Sequence, residues 1–193
     1  IFIQVNAEKF QSLRQMDPNL KIEHFKIENI ADMPVAVSRI GEIAKRHDLA
    51  EKVNQQFSAQ LAAVRQRTAG MDRPRVLFVM GYEHPATGGN DTFIGQMIET
   101  AGGINVAGSL KGWQNLNLET ILQFKPDVIV CQVDENYEKP DGAKNYWLQM
   151  KDIPACKSGR VFVVTDRYWS IPMLRTPEYI VKLADMIHNN SAK

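Results

Sequence analysis

Neither sign of charge dominates this 193-residue chain. Its 23 Lys and Arg face 22 Asp and Glu, a net charge of +1. That balance argues against nucleic acid as the main partner, because phosphate binding needs clustered Lys and Arg. Cysteine is scarce. Cys131 and Cys156 cannot build a disulfide framework and fix no compartment. No apolar run approaches the roughly 20 residues of a membrane span, and no basic-then-apolar leader opens the chain. There is no Gly-Lys-Ser/Thr phosphate loop, no Gly-x-Gly-x-x-Gly, no zinc spacing and no Gly-x-Ser-x-Gly elbow. Internal repeats and low-complexity tracts are absent too. With 44% apolar and 23% charged residues, the composition is that of an ordinary globular protein, long enough for a real core.

What is present is a β-then-α rhythm. The chain starts in mid-strand with Ile1-Phe2-Ile3-Gln4-Val5, so it reads as a fragment. A short helix over Ala7 to Met16 stops at Asp17-Pro18-Asn19, and residues 20–27 alternate like an imperfect strand. Met33 to Lys45 is a helix with Pro34 in its first turn. A longer helix runs from Asp48 to Thr68, with Asp48 and Glu51 as a capping box. Leu49, Val53, Phe57, Leu61 and Val64 form its single apolar stripe. Such a helix bridges two domains or simply lies on a surface; the pattern fits both.

After Gly70 to Pro74, the run Arg75 to Met80 reads as a fully buried strand. The remaining expected elements are a helix from Thr92 to Ala101 capped by Asp91, a short strand at 105–107, and a helix from Asn117 to Phe124. A strand over Val128 to Cys131, a helix at 143–151, a strand from Arg160 to Val164 and a helix from Thr176 to His188 follow. Strands alternating with helices imply a parallel sheet covered on both faces. The expected division is a partial α/β unit over 1–47, a linking helix over 48–70 and a complete α/β domain over 71–193.

Ligands of open parallel sheets bind beyond the carboxyl ends of the strands. The loops there carry Tyr82, Trp113, Tyr137, Tyr168 and Trp169, which suit a flat, partly apolar ligand or merely shelter the sheet end. Thr87 to Thr92 precedes a helix and reads as a capping turn more readily than as an anion site. Glu83 and His84 stand together in one loop, but a metal would need further ligands. A Tyr or His pair also suits haem iron. Cys131 ends one strand and Cys156 precedes the start of its neighbour. That separation is roughly 15 Å, against a disulfide limit of about 7 Å between Cα atoms, so two thiols are expected. Nothing points to catalytic residues, a resident cofactor or a bound metal.

Taken in order, these pieces resemble the periplasmic substrate-binding proteins of iron-siderophore, haem and cobalamin ABC importers. The resemblance lies in Thr92 to Ala107 with its Ala101-Gly102-Gly103-Ile104-Asn105, in Leu118-Glu119, in Lys125 to Val130, in Ile153 to Phe162 and in Ser38 to Gly41. It implies an α/β fold of two Rossmann-like lobes joined by one long helix, with the N-terminal lobe only partly present here. It implies a small-molecule partner bound between the lobes, an ABC permease as membrane partner, no chemistry on the ligand, and a periplasmic or lipid-anchored location. Glu119 matches the glutamate by which the family's C-terminal lobe docks to permease arginines, although an ordinary helix glutamate reads the same way. Trp113 matches a cleft aromatic of cobalamin-like members, and Arg175 resembles an arginine of oxyanion-binding members. Arg167 with Tyr168 and Trp169 suits an anionic ferric siderophore. Tyr82 and His84 suit haem. A metal chelate leads, with molybdate or tungstate behind it. Two other readings stay open: a chelatase-type enzyme using His84 and Glu83, and a regulator or scaffold domain that has lost its ligand. Pairing of two copies to bury the incomplete lobe is a further expectation.

Overall fold

The computed structural model describes residues 2–3, 15–17, 19–134 and 139–188. The expected helix over Ala7 to Met16 lies largely outside them, as does Tyr137. Strands β1 (Phe2–Ile3) and β2 (Glu23–His24) pair in parallel. Helices α1 (Asp32–Ile43) and α2 (His47–Thr68) follow. A six-stranded sheet comes next, built from β3 (Arg75–Met80), β4 (Ala86–Gly88), β5 (Ile104–Asn105), β6 (Trp113–Asn115), β7 (Val128–Gln132) and β8 (Val161–Val164). Its helices are α3 (Phe93–Thr100), α4 (Leu118–Phe124), α5 (Pro140–Leu148), α6 (Pro154–Lys157) and α7 (Thr176–His188). A 3-10 turn covers Arg167–Ser170.

The sheet is mixed rather than all parallel. β3 pairs in parallel with β7 and β5, and β7 with β8. β4 runs antiparallel to β3, and β6 antiparallel to β4. Chain length decides this. Met80 pairs with Ala86, and a connection that short permits reversal but no parallel crossover, which needs a dozen or more residues. β4 and β6 escaped the sequence reading because Ala-Thr-Gly and Trp-Gln-Asn carry no strand-like apolar pattern.

Alternation splits the buried strands between two cores. Val76, Phe78, Val128 and Val130 face one way, with α2, α3 and α7. Leu77, Val79, Ile129 and Cys131 face the other, with Ala143, Trp147, Ile153 and Cys156. Both cysteines are buried thiols, as expected, and burial pushes the Cys156 thiol up to about 11.

Two caps differ from expectation. α2 begins at His47 after a left-handed Lys45 (φ 53°), and no side chain caps it, so the Asp48–Glu51 box does not form. Gly41 explains the geometry: a Cβ there would sit 2.4 Å from that of Ala50. This close approach buries Ala50 and leaves Leu49 exposed. The working stripe of α2 is therefore Ala50, Phe57, Leu61, Val64 and Thr68.

At α3 the cap is Thr92, not Asp91. The Thr92 hydroxyl accepts from the Gly95 amide and donates to the Gly89 carbonyl. Asp91 instead accepts from the Gly112 amide. The amides of Gly89, Asn90 and Thr92 are all bonded to backbone carbonyls. The 87–92 turn thus reads as a cap tied to the 108–112 loop, with the Gly89, Asn90 and Thr92 amides already taken. Thr92→Ala removes both hydroxyl bonds and is expected to cost about 1–2 kcal/mol, measurable by urea denaturation; an unchanged midpoint would refute the cap.

Candidate functional site

The carboxyl ends of β3, β7 and β8 converge on an open cavity of about 610 Å³. Met80 and Gly81 line it from β3, Gln132 to Asp134 from β7, and Thr165 to Tyr168 from the segment after β8. This is the edge that parallel-sheet topology nominates, and the volume is that of a small-molecule site.

Asp166 organises the floor. Its carboxylate accepts from the Tyr168 amide at 2.9 Å, capping the 3-10 turn, and from the Tyr179 hydroxyl. The Tyr179 bond, then the Tyr168 amide, hold the Asp166 carboxyl below its usual range. The same bond, reinforced by desolvation, pushes the Tyr179 phenol up to about 12. So at neutral pH the carboxylate is charged and the phenol neutral, the pairing a charge-assisted hydrogen bond needs. The Arg167 guanidinium lies 5.2 Å from the Tyr168 ring centroid, a cation–π arrangement. Tyr168 first, and then the Asp166 and Asp134 charges, favour its protonated form.

Of the eight ligand-contact candidates, the cavity gathers two, Arg167 and Tyr168. Trp169 is a correction. It is 3% exposed, 6.4 Å from Phe78 and edge-on to Tyr179 at 5.3 Å. It packs beneath the site as core and does not reach into it. Tyr82 stacks on Tyr146 at 5.2 Å and joins the second core. Glu83 and His84 are exposed on the β3–β4 connection. Trp113 lies on β6, 42% exposed and two strands away from β3. Arg175 is bound to Glu178 by Nε at 3.1 Å and Nη2 at 2.8 Å. Glu119 is exposed in the first turn of α4 and forms no ion pair with any described residue. Among the described residues no three His, Cys, Asp or Glu side chains converge to hold a metal, and no helix is long and apolar enough to cross a membrane.

Gln132, Asp134, Thr165 and Asp166 were not singled out from sequence. One signal was available for Gln132: it is the polar residue that ends the otherwise apolar run of β7. Asp166 lies in a loop that topology nominates, but no signal marked it individually, since its partner Tyr179 is 13 residues away on α7.

Among the described residues, the cavity brings stacking and hydrogen-bonding groups together at the end of an α/β sheet. Residues 26–168 match the periplasmic binding protein family, and the chain belongs to it. It is 27% identical over 161 residues to a cobalamin-binding protein of Halobacterium salinarum, covering 79% of this chain and 42% of that one. It is 24% identical over 174 residues to an uncharacterised ABC-transporter substrate-binding lipoprotein of Bacillus subtilis, covering 86% and 53%. The chain thus spans about half the length of these curated relatives. Among solved structures, a periplasmic haem-binding protein from Roseiflexus superposes with a TM-score of 0.80 at 22% identity, covering 96% of this chain and 73% of that one. That likeness shows a shared fold.

Burial separates the two tryptophans. Trp169→Ala should cost about 3–5 kcal/mol, while Trp113→Ala should stay within about 0.5 kcal/mol of wild type. Denaturant midpoints check both, and equal effects would contradict the placement.

Proposed function

We propose that this chain is part of the extracytoplasmic substrate-binding component of an ABC importer, one that captures a metal chelate and delivers it to a membrane permease. Residues 1–47 belong to one lobe, 48–70 to the connecting helix and 71–193 to the other lobe. Membership of the periplasmic binding protein family over 26–168 carries this reading. The cavity at the ends of β3, β7 and β8 supports it as half of an interlobe cleft. The lipoprotein relative supports an anchored, extracytoplasmic location.

Electrostatics favour a chelate over molybdate or tungstate. Among the described residues, the cavity offers one guanidinium, Arg167, and two carboxylates, Asp134 and Asp166. Arg175 is already engaged by Glu178. A small dianion would meet more negative charge than positive. A larger chelate can stack on Tyr168, spreading its contacts beyond the charges. A chelatase reading finds little support, because His84 and Glu83 line no part of this cavity.

Titration of the full-length protein with cyanocobalamin, ferrichrome, haemin and molybdate, followed by tryptophan fluorescence, tests the reading. Saturable quenching by a chelate is expected, and Arg167→Ala should weaken it roughly tenfold. A response to molybdate alone, or to none of the four, would overturn the chelate assignment. Glu119 is the docking contact on the α4 side. Glu119→Arg should leave solution affinity unchanged and lower uptake in cells roughly tenfold; unimpaired uptake would remove it from the interface.

A further inference from the structure

Arg167 and Tyr168 reach the cavity from a single 3-10 turn of four residues, and both side chains are exposed. Hydrogen bonds within a 3-10 turn are poorer than in an α-helix, so the position of this one depends on what it is tied to. The Asp166 carboxylate makes the tie, with its two oxygens engaged on different elements. Oδ1 accepts from the Tyr168 amide at 2.9 Å and holds the turn. Oδ2 accepts from the Tyr179 hydroxyl and so reaches α7.

Tyr179 is anchored where the turn is not. It is 2% exposed and belongs to the apolar cluster shared by α2, α3 and the sheet. Trp169 meets its ring edge-on at 5.3 Å, and Lys182 Nζ lies 4.8 Å from the ring centroid. α7 is itself tied to α2, where Arg67 donates to the Val181 carbonyl at 3.3 Å and pairs with Asp185 at 3.1 Å. The phenol is pushed up to about 12 by Asp166 and desolvation, so it keeps its proton and remains a donor at neutral pH. Yet no described residue of α7 lines the cavity.

We propose that Tyr179 is a positioning residue for ligand binding: acting through Asp166, its hydroxyl fixes where the backbone of the Arg167–Ser170 turn stands at the cavity. The exposed side chains adjust from that base. A turn already in place loses less freedom when the ligand arrives, and the difference appears as affinity. The proposal rests on the importer reading above and concerns how that site is held, whichever chelate enters. Tyr179→Phe isolates the effect, because it keeps the ring contacts with Trp169 and Lys182 and removes the hydroxyl alone.

The test uses the full-length protein and whichever of cyanocobalamin, ferrichrome and haemin the wild type binds. Tyr179→Phe should bind that probe roughly tenfold more weakly. Thr92→Ala also removes a hydrogen-bonded hydroxyl, but it caps α3 and lines no part of the cavity, so it should bind as wild type does. In an Asp166→Ala background, Tyr179→Phe should have no further effect, as when one group acts through another. Amide exchange supplies a readout that needs no ligand. The Tyr168 amide should exchange roughly tenfold faster in Tyr179→Phe, a larger change than at any amide of β7. Undiminished affinity in Tyr179→Phe, additive effects in the double variant, equal weakening by Thr92→Ala, or an unchanged Tyr168 amide would each overturn the inference and leave the importer reading intact. Silence of the wild type towards all three probes would overturn both.

Discussion

One helix stripe has to serve two parts of the chain at once. Phe57, Leu61 and Val64 of α2 belong to the same apolar cluster as Ile30 and Met33 upstream and as Val76, Phe78, Val128 and Val130 of the sheet. Gln96 of α3 adds a polar clip, accepting from the Ile30 amide and donating to the Asn29 side chain. Asn54 of α2 does the same from the other side, donating to the Pro34 carbonyl and to Ser38. Burial supplies the energy and these amides set the register, Gln96 bonding through both ends of its carboxamide and Asn54 through its Nδ2 group. Where the stripe meets α1, Gly41 and Ala50 let the two helices touch.

Continuous apolar runs carried most of the architecture. Arg75 to Met80 and Val128 to Cys131 read as buried strands, and the 3.6-residue period of α2 and α7 was equally plain. Short edge strands were not legible. Ala86–Gly88 and Trp113–Asn115 are held by backbone pairing, which residue type does not encode. Caps failed where two candidates stood side by side. Asp91 and Thr92 both qualify by residue type, and only the path of the 108–112 loop, which takes up the Asp91 carboxylate, decides between them. The capping box at Asp48 failed because the tight Lys45 turn already sets the helix start.

The site was legible as an edge but not as a list of residues. Topology named the right loops, and Arg167 with Tyr168 proved to share a cavity. Chemical attractiveness misled elsewhere. Trp169 looked like a stacking platform, yet an indole directly after the exposed Tyr168 turns inward, and Phe78 and Tyr179 receive it. Arg175 looked like an anion ligand, yet Glu178, three residues on in the first turn of α7, takes its guanidinium. Local partners three or four residues away are the first competitors for any charged side chain on a helix.

The division of labour around the cavity follows from where each group is anchored. Gln132 ends an interior strand that is paired on both sides, so its place in the cavity wall is fixed. Arg167 and Tyr168 sit on a single 3-10 turn, exposed, and contribute charge and an aromatic face that work over a range of positions. A stacked cation tolerates many planar or anionic surfaces, because neither a charge nor a ring face demands a single approach. The strand ends thus form the rigid frame of the cavity, and the exposed turn after β8 is its adaptable wall.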